Sequence, residues 1–183
     1  EPQKLPEKDN CILLTSFWEM KWQVRVDVSA VTRRALSMLA PVADAAGVAL
    51  GSNLKDKCVV QGTEDDLYQI CFNLLENGIK YNRPGGRVMA DVYRDGDQVL
   101  LEVSDTGVGI PEEDMPKVFN RFYRVDKARS RAAGGTGLGL SIVRDTVRRH
   151  GGWVTVRARQ PEGSVFTVGF PAVPEKRKEG DRG

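Results

Sequence analysis

Two amides and an ammonium group share one line along a helical stretch of the sequence. Asn73, Asn77 and Lys80 are spaced i, i+4 and i+7, so on a helix their side chains form a polar stripe. Amide oxygens can bind a hard cation, and an ammonium group supplies a counter-charge for phosphate. The stripe therefore predicts a site for a metal ion and phosphate. The hydrated side of an ordinary amphipathic helix has the same spacing, and the stripe alone leaves both interpretations open.

A carboxylate stands at the end of a strand pattern farther along the chain. Val99, Leu101 and Val103 share one face of that strand, and Asp105 continues the same parity toward the core. A buried carboxylate needs a partner, and an exocyclic amine such as that of adenine would suit it. The glycines of DTGVGI, residues 105–110, let the backbone turn and approach a ligand. A turn capped by its own aspartate is the competing interpretation.

A glycine-rich segment, GGTGLGL at residues 134–140, precedes a second helical pattern. Glycines that open a helix expose backbone N–H groups and the positive end of the helix dipole to an anion. The segment is not the G-x-G-x-x-G fingerprint, because Ile142 occupies the third glycine position, and the chain has no G-K-[ST]. It predicts a phosphate contact, and a simple connecting loop is the alternative.

A cationic segment lies between the aspartate and the glycine-rich segment. Residues 117–131 contain six basic residues and one acidic residue, interleaved with Phe119, Phe122 and Tyr123. This composition predicts a lid that closes over phosphates, and a nucleic-acid patch is its alternative. The flanking segments favour a nucleotide.

The patterns around these residues predict the elements that must position them. Ser29 predicts the cap of a helix that ends near Ala46, before Gly47. Thr63 and the acidic residues after it predict the start of the most clearly patterned helix. Strands are predicted at residues 24–28, 48–53, 57–61, 87–94, 98–104, 154–158 and 166–170, and a further helix at 138–150. This order predicts an α+β sandwich with helices on one face of a largely antiparallel sheet.

The composition excludes several classes of protein. A chain of 183 residues that is 40% hydrophobic and 28% charged suits one soluble domain with some flanking chain. The formal net charge of +2 gives no general reason to expect nucleic-acid binding. Three dispersed cysteines indicate neither a disulfide framework nor a zinc cluster, and they favour a reducing, cytoplasmic compartment. No apolar run approaches the roughly twenty residues of a membrane-spanning helix.

Four segments, in this order, resemble the motifs of sensor histidine kinases. NLLENGIKYN (73–82) resembles the N box, DTGVGI (105–110) the first glycine box, VFNRFYRVDKARS (118–130) the F box and GGTGLGLSIV (134–143) the second glycine box. The resemblance covers about residues 21–172. It implies the catalytic ATP-binding domain of the gyrase, heat-shock chaperone and histidine kinase superfamily. The implied fold is a Bergerat-type two-layer α/β sandwich, with a mixed, mostly antiparallel sheet under about three helices.

The resemblance assigns roles to individual positions. Asn77 would bind Mg²⁺ with Asn73 as a neighbouring metal or phosphate contact, and Lys80 would face the phosphates. Asp105 would receive the adenine amine, and Arg124 would reach the γ-phosphate from the lid. The implied catalytic residues are Asn73, Lys80 and Arg124. The further ATP contacts that the resemblance implies are Tyr81, Gly107, Gly109, Ile110, Arg121, Phe122, Gly135, Thr136, Gly137, Leu138 and Gly139.

Two positions depart from the motifs of the family. Gly78 stands where alanine is commoner, and Asn82 stands where serine or threonine is commoner. Neither departure is expected to abolish nucleotide binding.

One position separates phosphoryl transfer from hydrolysis. The ATP-hydrolysing relatives have a glutamate four residues before the magnesium asparagine, where this chain has Asn73, an amide that cannot be a general base. Glu76 does not replace it, because Glu76 lies about 100° around the helix from Asn77. The resemblance therefore implies transfer of the γ-phosphoryl group to a protein acceptor.

The acceptor that the resemblance implies is a histidine on a dimerising helical hairpin, for later relay to a response regulator. The chain's single histidine, His150, precedes Gly-Gly at a predicted helix end, where a histidine commonly caps carbonyl groups, so we predict a structural role for it. Residues 1–20 would be a remnant of the hairpin or its junction, and residues 173–183 a charged flexible tail. The intact protein would be a homodimeric, membrane-bound bacterial sensor with this domain in the cytoplasm.

Three other functions stay open. A serine kinase of the anti-sigma type would share the fold without the histidine hairpin. An aspartic protease is suggested by Asp105-Thr106-Gly107, but such enzymes need two of these aspartates and therefore a homodimer. The last alternative is a noncatalytic nucleotide sensor.

Overall fold

The computed structural model describes residues 24–125 and 136–174. The described residues form seven strands: β1 (Val24–Asp27), β2 (Ala49–Leu54), β3 (Val59–Gly62), β4 (Arg87–Asp95), β5 (Gln98–Asp105), β6 (Trp153–Ala158) and β7 (Ser164–Pro171). The helices in these ranges are α1 (Val28–Ala46), α2 (Glu64–Lys80) and α3 (Gly139–Arg149). The predictions for residues 1–20, for the middle of the lid and for most of the charged tail lie outside the described residues.

Five strands form the main sheet, in the order β2-β4-β5-β7-β6. Strand β2 runs parallel to β4, whereas the other neighbours are antiparallel, so the sheet is mixed and mostly antiparallel. Alternate residues of β4 and β5, such as Val88, Val92 and Leu101, are buried in one core with residues of all three helices. The helices therefore cover one face of the sheet, and the predicted two-layer α+β fold is confirmed.

The first strand belongs to a separate small sheet. It pairs with β3 in antiparallel register, with Val26 opposite Val60. After β7, Ala172 forms an antiparallel β-bridge with Val60. Val173 N donates a hydrogen bond to Val59 O at 2.9 Å. These contacts join the small sheet to the end of the main sheet.

The N-cap of helix α1 lies two residues before the predicted cap, Ser29. Asp27, in extended conformation, is the N-cap and accepts a hydrogen bond from Ser29 N at 2.9 Å. The Ser29 hydroxyl donates instead to Lys55 O at 2.6 Å. The prediction that Ser29 caps the helix was therefore wrong, because Asp27, another residue with a capping side chain, stands two residues earlier in the sequence. Gly47, with a left-handed φ of 65°, ends the helix as predicted.

Helix α2 is the element that positions the candidate metal and phosphate ligands. Thr63 caps it by accepting a hydrogen bond from Asp66 N at 3.3 Å, as the sequence predicted. Its apolar face is buried along the helix from Leu67 to Ile79, and Leu74 and Leu75 are fully inaccessible to solvent. Burial of each leucine stabilises the fold by about 1.5–3 kcal/mol, which fixes the rotation of the helix and so the direction of its polar flank.

The hairpin of β4 and β5 places Asp105, the residue predicted to bind adenine, next to helix α2. Asp95 pairs with Gln98 beside the turn, and Gly96 adopts a φ of 56° there, which agrees with the predicted hairpin about Asp95-Gly96. At the other end of the hairpin Val88 pairs with Asp105, the last residue of β5. No helix within the described ranges combines the length and apolar character needed to cross a membrane.

Candidate functional site

The polar stripe of α2 lies against the start of α3. Asn73, Asn77 and Lys80 are all half-buried on the flank of the helix beside its apolar face. A Cβ atom added to Gly139, the first residue of α3, would lie 3.6 Å from Asn73 Oδ1. Asn73 Nδ2 is buried and has no hydrogen-bond partner among the described residues. The structure therefore brings Asn73 beside the first residue of the predicted phosphate-binding helix, while Asn77 and Lys80 lie on the same flank of α2.

This donor set fits a nucleotide phosphate accompanied by a metal ion. A buried amide N–H without a partner costs about 1–3 kcal/mol, so a phosphate oxygen at Asn73 Nδ2 would remove a penalty of that size. Within the described residues no group of three or more His, Cys, Asp or Glu side chains could hold a metal. Two amide oxygens alone bind Mg²⁺ weakly, and Mg²⁺ usually takes further ligands from substrate phosphates. Asn73 and Asn77 therefore suit an ion that arrives with the phosphates.

The first turn of α3 is open to an anion. Leu138 occupies the N-cap position, and its side chain makes no capping hydrogen bond. Helix N-termini leave several backbone N–H groups without intrahelical partners, and these groups attract phosphate. Thr136 Oγ1 accepts a hydrogen bond from Leu138 N at 3.4 Å, which shapes the turn that enters the helix. Gly135 lies outside the described residues, so its predicted role stays a prediction.

Asp105 is the buried carboxylate that the strand parity predicted. It is 8% exposed, and its Oδ1 accepts a hydrogen bond from Gly107 N at 2.8 Å. Loss of hydration raises the pKa of this carboxyl group, and hydrogen bonds from the backbone of Gly107 and Ser164 partly offset that rise in pKa. A carboxylate that is short of water but oriented by backbone donors is a suitable acceptor for a ligand amine.

Close backbone packing around Asp105 explains two glycines. A Cβ on Gly107 would lie 2.4 Å from Tyr81 O, and a Cβ on Gly163 would lie 1.9 Å from Asp105 O. Gly107 was predicted, whereas Gly163 was missed because its role depends on the β6–β7 hairpin folding back onto β5. Gly109 has a φ of 72° and lies beside Gly163, so these glycines join two loops at one wall of the site.

The end of α2 forms another part of the wall. Tyr81 is the C-cap of the helix, and its carbonyl oxygen accepts a hydrogen bond from Val108 N at 3.2 Å. Lys80 Nζ lies 5.8 Å from the centre of the Tyr81 ring. Ile110 is partly buried against the core. The end of the N box therefore contacts the first glycine box directly.

Asn82 is a contact that the motif spacing did not single out for the site. Its side-chain amide donates to Gly78 O and to Arg87 O, both at 3.1 Å, and its oxygen accepts from the Thr106 hydroxyl at 3.3 Å. Asn82 thereby ties the end of α2 to the segment after Asp105. Only its departure from the family's commoner residue drew attention to it in the sequence.

The start of the lid is bonded to the second glycine segment. Phe122 N donates to Gly137 O at 2.8 Å, and a Cβ on Gly137 would lie 3.0 Å from the Phe122 backbone. Phe122 itself has a φ of 64°, which is rare for a bulky residue, and its side chain is 71% exposed at the rim. Gly137, with a φ of 72°, permits this close approach.

Two further residues of the lid segment, Arg121 and Tyr123, contact acidic side chains. Tyr123 OH donates to Asp114 Oδ1 at 2.6 Å, and this bond raises the pKa of the phenol. Arg121 Nη2 lies 3.0 Å from Asp145 Oδ2 on α3, so its head group contacts a carboxylate of the domain itself. Arg124 is half-buried next to Tyr123. The structure thus places Arg121 beside α3, while the predicted contacts of Arg121 and Arg124 with ATP stay predictions.

Comparison with known proteins identifies the family. The profile of the family described as histidine kinase-, DNA gyrase B- and HSP90-like ATPases matches residues 62–174, which contain all four motifs. The chain belongs to this family.

Its relatives within the family are sensor histidine kinases. The domain is 36% identical over 156 residues to the sensor-like histidine kinase SenX3 of Mycolicibacterium smegmatis, covering 85% of this chain and 41% of SenX3. It is 39% identical over 132 residues to the sensor histidine kinase WalK of Bacillus subtilis, covering 70% of this chain and 22% of WalK. The chain thus spans about two-fifths or less of these relatives. The predicted resemblance to sensor histidine kinases is confirmed.

Solved structures agree with this assignment. The mycobacterial sensor histidine kinase MprB superposes with a TM-score of 0.70 at 30% identity, covering 84% of this chain and 99% of that one. The catalytic domain of the histidine kinase ThkA superposes with a TM-score of 0.73 at 25% identity, covering 85% and 99%. The ATPase-family fold and the sensor kinase relationship therefore rest on both sequence and shape.

His150 is a structural residue of this ATPase-family domain. Its side chain is 3% exposed, with Nδ1 2.9 Å from Thr146 O and the ring edge against Phe170. Nε2 lies 3.6 Å from Asp66 Oδ2, so the ring joins the end of α3 to the start of α2. The predicted capping role at the helix end is confirmed, and the burial leaves no room for a phosphoryl group on the ring.

Proposed function

We propose that this chain is the catalytic ATP-binding domain of a two-component sensor histidine kinase. It binds ATP with Mg²⁺ and transfers the γ-phosphoryl group to a histidine on a dimerisation domain. The observation that carries the proposal is the buried, unpartnered Asn73 amide beside the uncapped start of α3. A helix N-terminus beside a buried N–H group without a partner suits a phosphate chain better than it suits water.

The chain's own residues would divide the work between the two ends of the nucleotide. Asp105 would hold the adenine amine, because its carboxylate is buried and already oriented by Gly107. Asn77 would bind the metal ion, while Asn73 Nδ2 and Lys80 would meet phosphate oxygens. When bound, ATP supplies the phosphoryl group, and Mg²⁺ neutralises charge on its oxygens. Catalysis would then consist mainly of positioning and charge neutralisation, with Arg124 contributing from the lid.

The residue at the hydrolytic position favours transfer over hydrolysis. Asn73 faces the start of α3 and cannot remove a proton from water. Glu76, the nearest carboxylate along α2, is exposed and lies on a different side of the helix from Asn77. A protein acceptor with its own nucleophilic side chain therefore fits the site better than water does.

Structures of kinase relatives support the proposed partners. ThkA has been solved in complex with the response regulator TrrA, and full-length ShkA has been solved with AMPPNP. We propose the same classes of ligand here: an adenine nucleotide, the histidine-containing domain of the same kinase and a response regulator. In the intact protein, residues 21–172 would be the catalytic domain of a homodimeric, membrane-bound sensor and would lie in the cytoplasm.

Titration with ATP in the presence of Mg²⁺ tests the nucleotide site. We expect saturable binding to the chain and at least about a tenfold loss of affinity in Asp105→Ala, because the variant loses a charge-assisted hydrogen bond worth about 1.5–3 kcal/mol. Asp97→Asn, an exposed aspartate in the β4–β5 turn, is the matched control and should bind like the unmodified chain. Absence of saturable binding, or equal binding by Asp105→Ala, would refute the proposed site.

A further inference from the structure

One arginine of the lid segment, Arg121, contacts a carboxylate of α3 beyond the first turn of that helix. Arg121 Nη2 lies 3.0 Å from Asp145 Oδ2, and Arg144 contacts the other oxygen of the same carboxylate at 3.2 Å. Asp145 follows Gly139 by six residues, which is about 9 Å along the axis of α3 and about 120° around it. The Arg121 head group is therefore held well beyond the helix N-terminus, where phosphate would bind.

The pair is built so that Arg121 can exchange partners. Its side chain is 68% exposed and that of Asp145 is 39% exposed, so water can replace either partner during an exchange. The lid backbone stays beside the second glycine segment through the Phe122 N to Gly137 O hydrogen bond, which keeps the root of Arg121 near the start of α3. Arg144 remains on Asp145 when Arg121 leaves, so the carboxylate keeps a counter-charge.

We propose that Asp145 is a positioning residue that holds Arg121 away from the phosphate site until the phosphate chain of ATP displaces it. This inference rests on the proposed nucleotide site. Guanidinium binds carboxylate and phosphate with the same paired geometry, so the two groups compete directly for Arg121. A triphosphate carries more negative charge than Asp145 and therefore displaces it from Arg121. Breaking the Arg121–Asp145 pair costs free energy, so it reduces the apparent affinity of the domain for ATP. Arg121 lowers the pKa of Asp145, which agrees with a favourable pair.

The size of the effect follows from the exposure of the pair. Exposed ion pairs are weak, and removing this one should raise the affinity for ATP by about two- to fivefold at low ionic strength. The gain should depend on phosphate, because AMP has no β- or γ-phosphate to receive Arg121. AMP should therefore bind equally well with and without the Asp145 carboxylate.

The test compares Asp145→Asn with the unmodified chain in titrations with ATP, ADP and AMP in the presence of Mg²⁺. We expect the affinity for ATP to rise about two- to fivefold while that for AMP is unchanged. The gain should vanish in the Arg121→Gln background, and Asp145→Glu, which keeps the carboxylate, should restore the original affinity. Thermal unfolding of each variant checks that the fold is intact.

Three results would overturn the inference. Equal or weaker ATP binding by Asp145→Asn would show that the carboxylate does not compete with phosphate. A gain that persists in Arg121→Gln, or that extends equally to AMP, would show a general charge effect instead of a pair-specific one. Failure of the unmodified chain to bind ATP would refute the proposed function and the inference together, whereas the first two results would leave the proposed function standing.

Discussion

Two buried polar groups define the candidate site at the scale of single residues. Asp105 is a carboxylate deprived of water at the end of a central strand, and Asn73 has an amide N–H that no described residue accepts. Both groups cost stability in the empty domain, which is typical of residues retained for a ligand. The same two residues mark opposite ends of the proposed nucleotide, adenine at Asp105 and phosphate at Asn73.

Asp105→Asn should separate stability from binding. Burial raises the pKa of Asp105 above its value in the unfolded chain, so the folded state binds the proton more tightly. Ionised Asp105 therefore reduces stability at neutral pH, and this penalty disappears as the pH falls through the folded-state pKa. We expect Asp105→Asn to raise the midpoint of thermal unfolding at pH 7, and the gain to shrink toward pH 4.

Unfolding curves recorded between pH 4 and pH 8, paired with ATP titrations at pH 7, measure both parts of this prediction. The variant should be the more stable protein and the weaker ATP binder. A variant that is less stable than the unmodified chain at pH 7 would contradict the assigned effect of burial on Asp105. Asp97→Asn, which changes an exposed aspartate, should shift neither quantity.

At the scale of elements, the site is a junction of loops on a rigid sandwich. The first glycine segment is wedged between the carbonyl of Tyr81 at the end of α2 and Gly163 of the β6–β7 hairpin. The second glycine segment is bonded to the lid through Gly137 and Phe122. Movement of these loops would therefore change the shape of the candidate nucleotide site, while the packed leucine face of α2 stays fixed.

Gly163→Ala tests the contact between the hairpin and Asp105. Its Cβ would lie 1.9 Å from Asp105 O, so the hairpin must move and pull Asp105 out of position. Gly96→Ala is the matched control, because Gly96 also has a positive φ but opens into free space. Backbone strain should lower the free energy of unfolding of both variants by about 1–2 kcal/mol. The clash with Asp105 should lower that of Gly163→Ala further.

The two variants should differ most clearly in ATP binding. Gly163→Ala should weaken it at least about tenfold, as expected when an oriented charge-assisted hydrogen bond is lost, whereas Gly96→Ala should leave it unchanged. Denaturant unfolding and ATP titration of both proteins measure the difference. Equal ATP affinities would show that the β6–β7 hairpin does not support Asp105.

Local elements were predictable from the sequence, because their signals lie within a few residues. Thr63 marks the start of α2, and Asp95-Gly96 marks the β4–β5 turn, where side-chain chemistry and glycine conformation decide the structure. The strands that pair with β2 and β3 could not be predicted, because the residues of a short strand do not indicate which distant strand lies beside it. Ser29 was mistaken for a cap because Asp27 offers the same chemistry two residues earlier.

In the candidate site, too, features set by neighbouring residues could be predicted, and features set by distant residues could not. Asp105 could be predicted from strand parity, and the Asn73 stripe from helical spacing. Gly163 and the Arg121–Asp145 pair depend on elements that are far apart in sequence, so only the folded chain reveals them. Sequence reasoning thus proposed the candidate ligands of the site and missed the contacts around them that the structure shows.

At the scale of the whole molecule, the domain combines a candidate phosphate site with a histidine that is buried inside the fold. The net charge of +2 conceals a lid segment rich in basic residues and a first turn of α2 that contains three acidic ones. His150 is enclosed between α3, α2 and β7. The proposed phosphoacceptor must therefore come from another domain, which agrees with the chain spanning only part of its sensor kinase relatives.

Transfer of label from γ-³²P-ATP to an added histidine-containing dimerisation domain tests the proposed kinase function. With Mg²⁺ present, we expect acid-labile label on the added domain and none on this chain, and His150→Gln should transfer label as the unmodified chain does. Acid-stable label would indicate a serine acceptor, and label retained on this chain would indicate an acceptor within it. Either result, or the absence of any transfer while ATP binds, would contradict the assignment as a histidine kinase catalytic domain.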